Sequence, residues 1–77
     1  MDCIKTGRLI AKLRKEKGLT QKNMADALGI SNKTISKWET GLGCPDLSLW
    51  PDLSTILGAE ISQLMEGEIV PNKPDNG

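Results

Sequence analysis

The sequence predicts an all-α fold of five short helices, and three observations predict it. Apolar residues recur at helical spacing along most of the chain, and no stretch alternates apolar and polar residues as a half-buried strand would. Glycines stand just past the periodic runs, at Gly18, Gly29, Gly58 and Gly67, where helices stop. With 77 residues, the chain has room for one domain and one modest core. At that size stability comes from well-packed helices, crosslinks, a metal or oligomerisation.

Taken in order, the first helix runs from about Ile4 to Glu16. It carries Thr6, Ile10 and Leu13 on one face, and ends in the basic turn Arg14–Lys17 that suits the negative end of a helix dipole. Thr20 reads as the N-cap of the second helix, its hydroxyl placed to accept a backbone N–H from Gln21–Asn23; this helix continues to Leu28. Ser31 reads as the next N-cap, opening a third helix from Asn32 to about Glu39. The segment from Thr40 to Asp46 is a loop rich in breakers. Ser48 is expected to cap a fourth helix ending at Leu57, with Pro51 tolerated in its first turn because its missing N–H is not needed there. Trp50, at the start of that helix, is expected to be partly exposed. A fifth helix runs from about Ser62 to Glu66. Residues 1–67 form the expected domain. Residues 68–77, with two prolines and few apolar groups, are expected to be a flexible tail or linker.

Several function classes fall away at this level. The chain has no histidine, and its two cysteines, Cys3 and Cys44, are far apart in sequence, which does not match the paired ligands of a zinc site. No metal and no cofactor are expected. Neither cysteine has a neighbouring base and there is no Gly-rich phosphate cradle, so the chain does not read as an enzyme. No apolar run approaches the roughly 20 residues that cross a bilayer, and no secretory signal precedes the first helix. The expectation is a cytoplasmic protein with reduced thiols and no membrane partner.

The formal net charge is zero, but its distribution is uneven. Residues 1–40 carry nine Lys/Arg against four Asp/Glu, and residues 41–77 carry one Lys against six acids. A polyanion responds to the local field of one face, not to the total. Taken alone, such asymmetry is also what a solvated helix face looks like.

The decisive pattern lies between Gln21 and Glu39. Two helices that meet steeply across a tight turn need a reversal residue that accepts positive φ, a small residue at the close contact, and apolar inner faces. Counting Gln21 as the first position, Met24, Ala25, Leu28, Gly29, Ile30, Ile35 and Trp38 supply these at the fourth, fifth, eighth, ninth, tenth, fifteenth and eighteenth places. All seven requirements are met, which defines a helix-turn-helix. Trp38 falls within the apolar pattern and reads as core, not as a stacking platform for a base.

These residues, with Leu19-Thr20-Gln21, Leu28-Gly29-Ile30-Ser31 and Thr34-Ile35-Ser36-Lys37-Trp38-Glu39, resemble the Cro/cI-type helix-turn-helix domain, also called the XRE family. Pro51-Asp52-Leu53, Ile56-Leu57-Gly58 and Ser62-Gln63-Leu64-Met65 resemble that family's fourth and fifth helices, so the likeness spans about residues 4–67. It implies a compact lambda repressor-like bundle of five helices whose third helix lies in the major groove of double-stranded DNA. Positions that meet base edges then match Asn32, Lys33 and Lys37, chemistry suited to adenine for Asn and to guanine O6 and N7 for Lys. Gln21 matches a phosphate contact at the positive end of the second helix; Lys22, Ser31, Thr34, Ser36 and Thr40 are the further polar residues expected near the DNA. Arg14 and Glu39 match a salt bridge between the first helix and the end of the third.

Some readings stay open at this point. Gln21 also fits a purely capping part. Lys33 and Lys37 on an exposed helix are ordinarily just solvated. Ile61, Leu64, Met65, Ile69 and Val70 fit the seam of a homodimer on an inverted-repeat operator, while the first three fit equally a part in closing the bundle core. The loop Leu42–Asp46 has no basic residue and one acid, a departure from the family that implies weak backbone contact and a shallow salt dependence. The resemblance implies a bacterial or phage transcriptional regulator, by family habit a repressor. The competing reading is a helix-turn-helix scaffold used as a protein-interaction or antitoxin-like module. A protein-docking face would favour exposed aromatic or Leu anchors, whereas the third helix offers Asn, Lys and Ser.

Overall fold

The computed structural model describes residues 2–67. The tail expected at 68–77, with Ile69 and Val70, lies outside the described residues. Five α-helices follow one another: α1 Cys3–Glu16, α2 Gln21–Leu28, α3 Asn32–Glu39, α4 Trp50–Leu57 and α5 Ile61–Glu66. Among the described residues there is no strand, and no helix is long and apolar enough to cross a membrane.

The ends of these helices are set by short polar side chains. Asp2 caps α1, its carboxylate accepting from the backbone N–H groups of Ile4 and Lys5, so the helix starts at Cys3, one residue earlier than expected. Thr20 caps α2 in a reciprocal box: Asn23 N–H donates to the Thr20 hydroxyl at 2.9 Å and Thr20 N–H donates to Asn23 Oδ1 at 3.0 Å. Gly29 closes α2 in the left-handed region, at φ 72°, where the expected reversal lies. Ser31 caps α3 through Thr34 N–H.

At α4 the expectation needs correction. A single 3₁₀ turn, Leu47–Leu49, precedes the helix and is capped by Asp46, which accepts from the Ser48 backbone N–H at 3.4 Å and from the Ser48 hydroxyl at 2.6 Å. α4 itself follows from Leu49 with no side-chain cap, so Ser48 does not cap it. Trp50 is only 2% exposed, not partly exposed as expected, because it shares the inner face with Leu53 and Leu57 at i, i+3 and i+7.

The core collects Leu9, Ile10, Met24, Ala25, Leu28, Ile35, Trp38, Trp50, Leu53, Leu57, Ala59 and Leu64. Burying a large aliphatic side chain of this kind contributes about 1.5–3 kcal/mol. α1 packs against α3, α4 and α5, and α2 against α3 and α4. Two neighbouring residues make α1 the spine of the bundle. Gly7 lets it approach the end of α3 so closely that a Cβ there would collide with the Trp38 carbonyl. Thr6, fully buried, donates its hydroxyl to the Leu64 carbonyl at 2.9 Å and so satisfies a helix-end acceptor of α5. Leu64 therefore closes the core, Met65 is half-buried against it and Ile61 is exposed.

The two cysteines do not stay apart. The loop after α3 returns over the first turn of α1, bringing the Cα atoms of Cys3 and Cys44 to 5.3 Å and joining their sulfurs in a disulfide. The expectation of reduced thiols is corrected accordingly. Sequence separation is no guide to distance once α1 and α3 are packed together.

Candidate nucleic-acid interface

α2 and α3 meet across the turn at Gly29-Ile30-Ser31, with Ala25, 2% exposed, as the small residue at their contact. This packing turns Ile35 and Trp38 inward and leaves the opposite side of α3 free. Asn32, Lys33 and Lys37 are exposed on that side, with Ser31 at its start and Thr40 at its end. Thr34 and Ser36 are half-buried at its margins. Thr34 Oγ1 lies 3.1 Å from Ser31 Oγ, and the Thr40 hydroxyl donates to the Ser36 carbonyl at 2.8 Å. The base-edge candidates thus share one helical face.

The one acid of α3 is withdrawn from that face. Glu39 accepts from Arg14 Nε at 2.6 Å and from Arg14 Nη2 at 3.1 Å, with the two side chains only 10% and 8% exposed for Arg14 and Glu39. Arg14 Nη1 also donates to the Leu19 carbonyl at 2.7 Å. A forked guanidinium on a carboxylate is the strong, oriented kind of ion pair. Here it ties α1, the α1–α2 link and the end of α3 into one unit. The electrostatic consequence is an outward face of α3 that carries two ammonium groups and no carboxylate.

Gln21 joins the same network: its side-chain N–H donates to Glu39 Oε1 at 3.0 Å. The first residue of α2 is thereby tied to the last residue of α3. The Gln21 amide nitrogen is committed inward, and what α2 turns outward at this end is its first-turn backbone, the positive end of its dipole. Lys22 is exposed and lies 3.6 Å from Asp26 one turn on, a surface pair that is worth little and exchanges readily for another anion. The loop after α3 keeps its acid occupied: the Asp46 carboxyl is held below its ordinary 3.8, first by the Ser48 hydroxyl and then by the Ser48 backbone N–H.

Gly7, the Gln21–Glu39 bond and the cysteine pair are parts of the site's support that sequence reasoning missed. Each depends on which residues of α1 face α3, and only the small size of Gly7 in a helix interior hinted at a close approach.

A family model described as helix-turn-helix matches residues 10–69. The chain belongs to the helix-turn-helix family of the Cro/cI type, whose members are the DNA-binding domains of transcriptional regulators. It is 41% identical over 59 residues to the uncharacterized HTH-type transcriptional regulator YqaE of Bacillus subtilis (strain 168), covering 77% of this chain and 51% of that protein. It is also 41% identical over 61 residues to the SPbeta prophage-derived uncharacterized HTH-type transcriptional regulator YonR of the same strain, covering 79% and 56%. The HTH-type transcriptional activator BcrR of Enterococcus faecalis is 37% identical over 59 residues, 77% of this chain and 29% of that protein. The chain spans about half the length of YqaE and YonR. Among solved structures, the restriction-modification controller protein C.AhdI from Aeromonas hydrophila superposes with a TM-score of 0.73 at 30% identity, covering 82% of this chain and 96% of that one.

Proposed function

We propose that this chain reads a specific DNA sequence with α3 in the major groove, as the DNA-binding domain of a bacterial or phage transcriptional regulator. The observation that carries the reading is the acid-free outward face of α3, kept so by the withdrawal of Glu39 onto Arg14. On that face Asn32 pairs bidentately with an adenine, and Lys33 and Lys37 donate to guanine O6 and N7. The first turn of α2 at Gln21, with Lys22, Ser31, Thr34, Ser36 and Thr40, meets the flanking phosphates and fixes register without reading sequence. Residues 1–67 are the reading unit, with 68–77 the linker or tail that leaves it.

Two copies bind as a homodimer on an inverted repeat, placing their α3 helices about 34 Å apart on successive major grooves. The loop after α3 adds no basic group, so a single domain neutralises few phosphates and binds weakly, and the dimer supplies the affinity. The exposed Ile61 at the start of α5 is available to such a seam. The domain works in the cytoplasm and is not an enzyme: it lacks histidine, and its cysteines are engaged with each other. Repression follows where the operator overlaps a promoter.

Selection of bound duplexes from a random library at near-physiological salt, followed by sequencing, tests this. An enriched inverted repeat with half-sites one helical turn apart is the expected result. A lone half-site would remove the dimer from the proposal. No enrichment from folded protein would overturn it in favour of a protein-interaction or antitoxin-like module.

A further inference from the structure

The cysteine pair sits where it can act on the reading helix. Cys3 occupies the first turn of α1, and Cys44 lies five residues beyond Glu39, the last residue of α3. Contacts besides the bond hold the end of α3 and its loop against α1. Gly7 abuts the Trp38 carbonyl, a Cβ on Gly41 would stand 2.8 Å from Ile4 Cγ1, and Leu42 N–H donates to the Lys37 carbonyl at 2.8 Å. Pro45 is buried beside them. The thiols are therefore brought together by the fold itself, not only by their bond. Both cysteines are half-buried, not sealed in the core, and the neighbouring Ile4 and Leu42 are exposed, Leu42 at 78%. The pair thus lies at the rim of the fold, outside the buried apolar cluster.

We propose that Cys3 and Cys44 form a reversible thiol–disulfide site that sets how firmly the loop 40–46 and the end of α3 are held, so that DNA affinity follows the thiol redox state around the protein. In the oxidised state the bond joins positions 41 apart in sequence and closes a loop that contains α1 and the helix-turn-helix of α2 and α3. An eight-residue helix such as α3 has little stability of its own and takes its order from what holds its ends. The Arg14–Glu39 pair holds its last residue, and the disulfide holds the chain beyond it. A disulfide in a reducing compartment is usually transient and redox-sensing, not structural.

The exchange is balanced by low-molecular-weight thiols and disulfides. In reduction, a small thiolate attacks one sulfur of the pair, forms a mixed disulfide and releases the other cysteine as a thiolate that takes up a proton. A second small thiol then displaces the protein sulfur, leaving two cysteine thiols and one oxidised small-molecule disulfide. Oxidation runs the same steps backwards, with the small disulfide accepting the two electrons and leaving as two thiols.

The DNA consequence rests on the reading proposed above, so the test separates the two. Amide hydrogen exchange of the intact chain is followed in excess dithiothreitol and in excess oxidised glutathione, together with melting temperature and affinity for the selected duplex. Reduction is expected to speed exchange across 40–46 while Ile10, Leu53 and Leu57 stay protected. The melting temperature should fall by roughly 10–25 °C, and affinity should fall about three- to tenfold as the loosened end of α3 must be ordered on binding. Return to the oxidised buffer restores all three. The double variant Cys3→Ser with Cys44→Ser should match the reduced chain and ignore the buffer; if it does not fold, the reversibly reduced wild type carries the comparison. The proposal is overturned if 40–46 exchanges alike in both buffers, if the thiols remain alkylatable in excess oxidised glutathione, or if reduction proceeds only at the rate of global unfolding. Should neither state bind any duplex, the DNA reading fails and the exchange of 40–46 alone decides whether the switch exists.

Discussion

Replacing Glu39 by alanine removes the acceptor at the centre of the network that orients α3. Arg14 would keep its bond to the Leu19 carbonyl but lose both bonds to the carboxylate, and the Gln21 amide would lose its partner as well. Breaking a buried pair by removing one member costs about 3–5 kcal/mol, because a charge is left without compensation. At 10% exposure the Arg14 side chain lies near enough to the rim to relax towards water, which places the cost at the lower end, about 3 kcal/mol. For a domain of this size that lowers the melting temperature by on the order of 12–24 °C. Replacing both residues by apolar ones, Arg14→Met with Glu39→Ala, leaves no orphan charge and should cost much less than the two single changes added together, a coupling of roughly 2 kcal/mol. Urea unfolding followed by the fluorescence of the buried Trp38 and Trp50 reads all four proteins at one redox state. Single changes below about 1 kcal/mol that simply add would refute the reasoning and reduce the network to a surface pair.

The other expectations concern packing, reading and pH. Gly7→Ala should destabilise by about 1–3 kcal/mol or more through overpacking against the Trp38 carbonyl; an unchanged urea midpoint would mean that α1 and α3 do not approach as closely as described. Asn32→Ala should relax preference at one base pair, costing about 1–3 kcal/mol at that position and little elsewhere in competition binding. Lys22→Ala should weaken all sequences alike and lower the salt slope by about one; a changed base preference would remove it from the phosphates. The Asp46 carboxyl is lowered by its bonds from Ser48, so the cap it makes stabilises the fold above the ordinary carboxylate range. That contribution is lost as pH falls through the lowered value. Ser48→Ala should move the Asp46 titration, read by carboxyl NMR, back towards 3.8.

The helices and their order were legible in the sequence because what terminates them is local. Thr20, Ser31 and Gly29 act within three or four residues of themselves, and the seven template positions from Met24 to Trp38 are spaced by helical geometry alone. The outward face of α3 followed from the same periodicity. Where the expectation failed, the cause was a longer-range or subtler competition. Trp50 was expected to be partly exposed because the 3₁₀ turn before it leaves no periodic signal, whereas it lies on the inner face of α4 with Leu53 and Leu57.

By itself, then, the sequence determined five helices, the caps at Thr20 and Ser31, the reversal at Gly29 and the polar stripe on the outward side of α3. Tertiary structure alone decided how α3 is held. Gly7 against the Trp38 carbonyl, Thr6 on the Leu64 carbonyl, Gln21 on Glu39, and Cys3 on Cys44 join residues far apart along the chain, and of the long-range contacts on α3 only the Arg14–Glu39 pair was expected, from the family resemblance. Helix signals are read from neighbours one turn away, whereas these contacts exist only once burial of the common core has set α1 across the ends of α3 and α5.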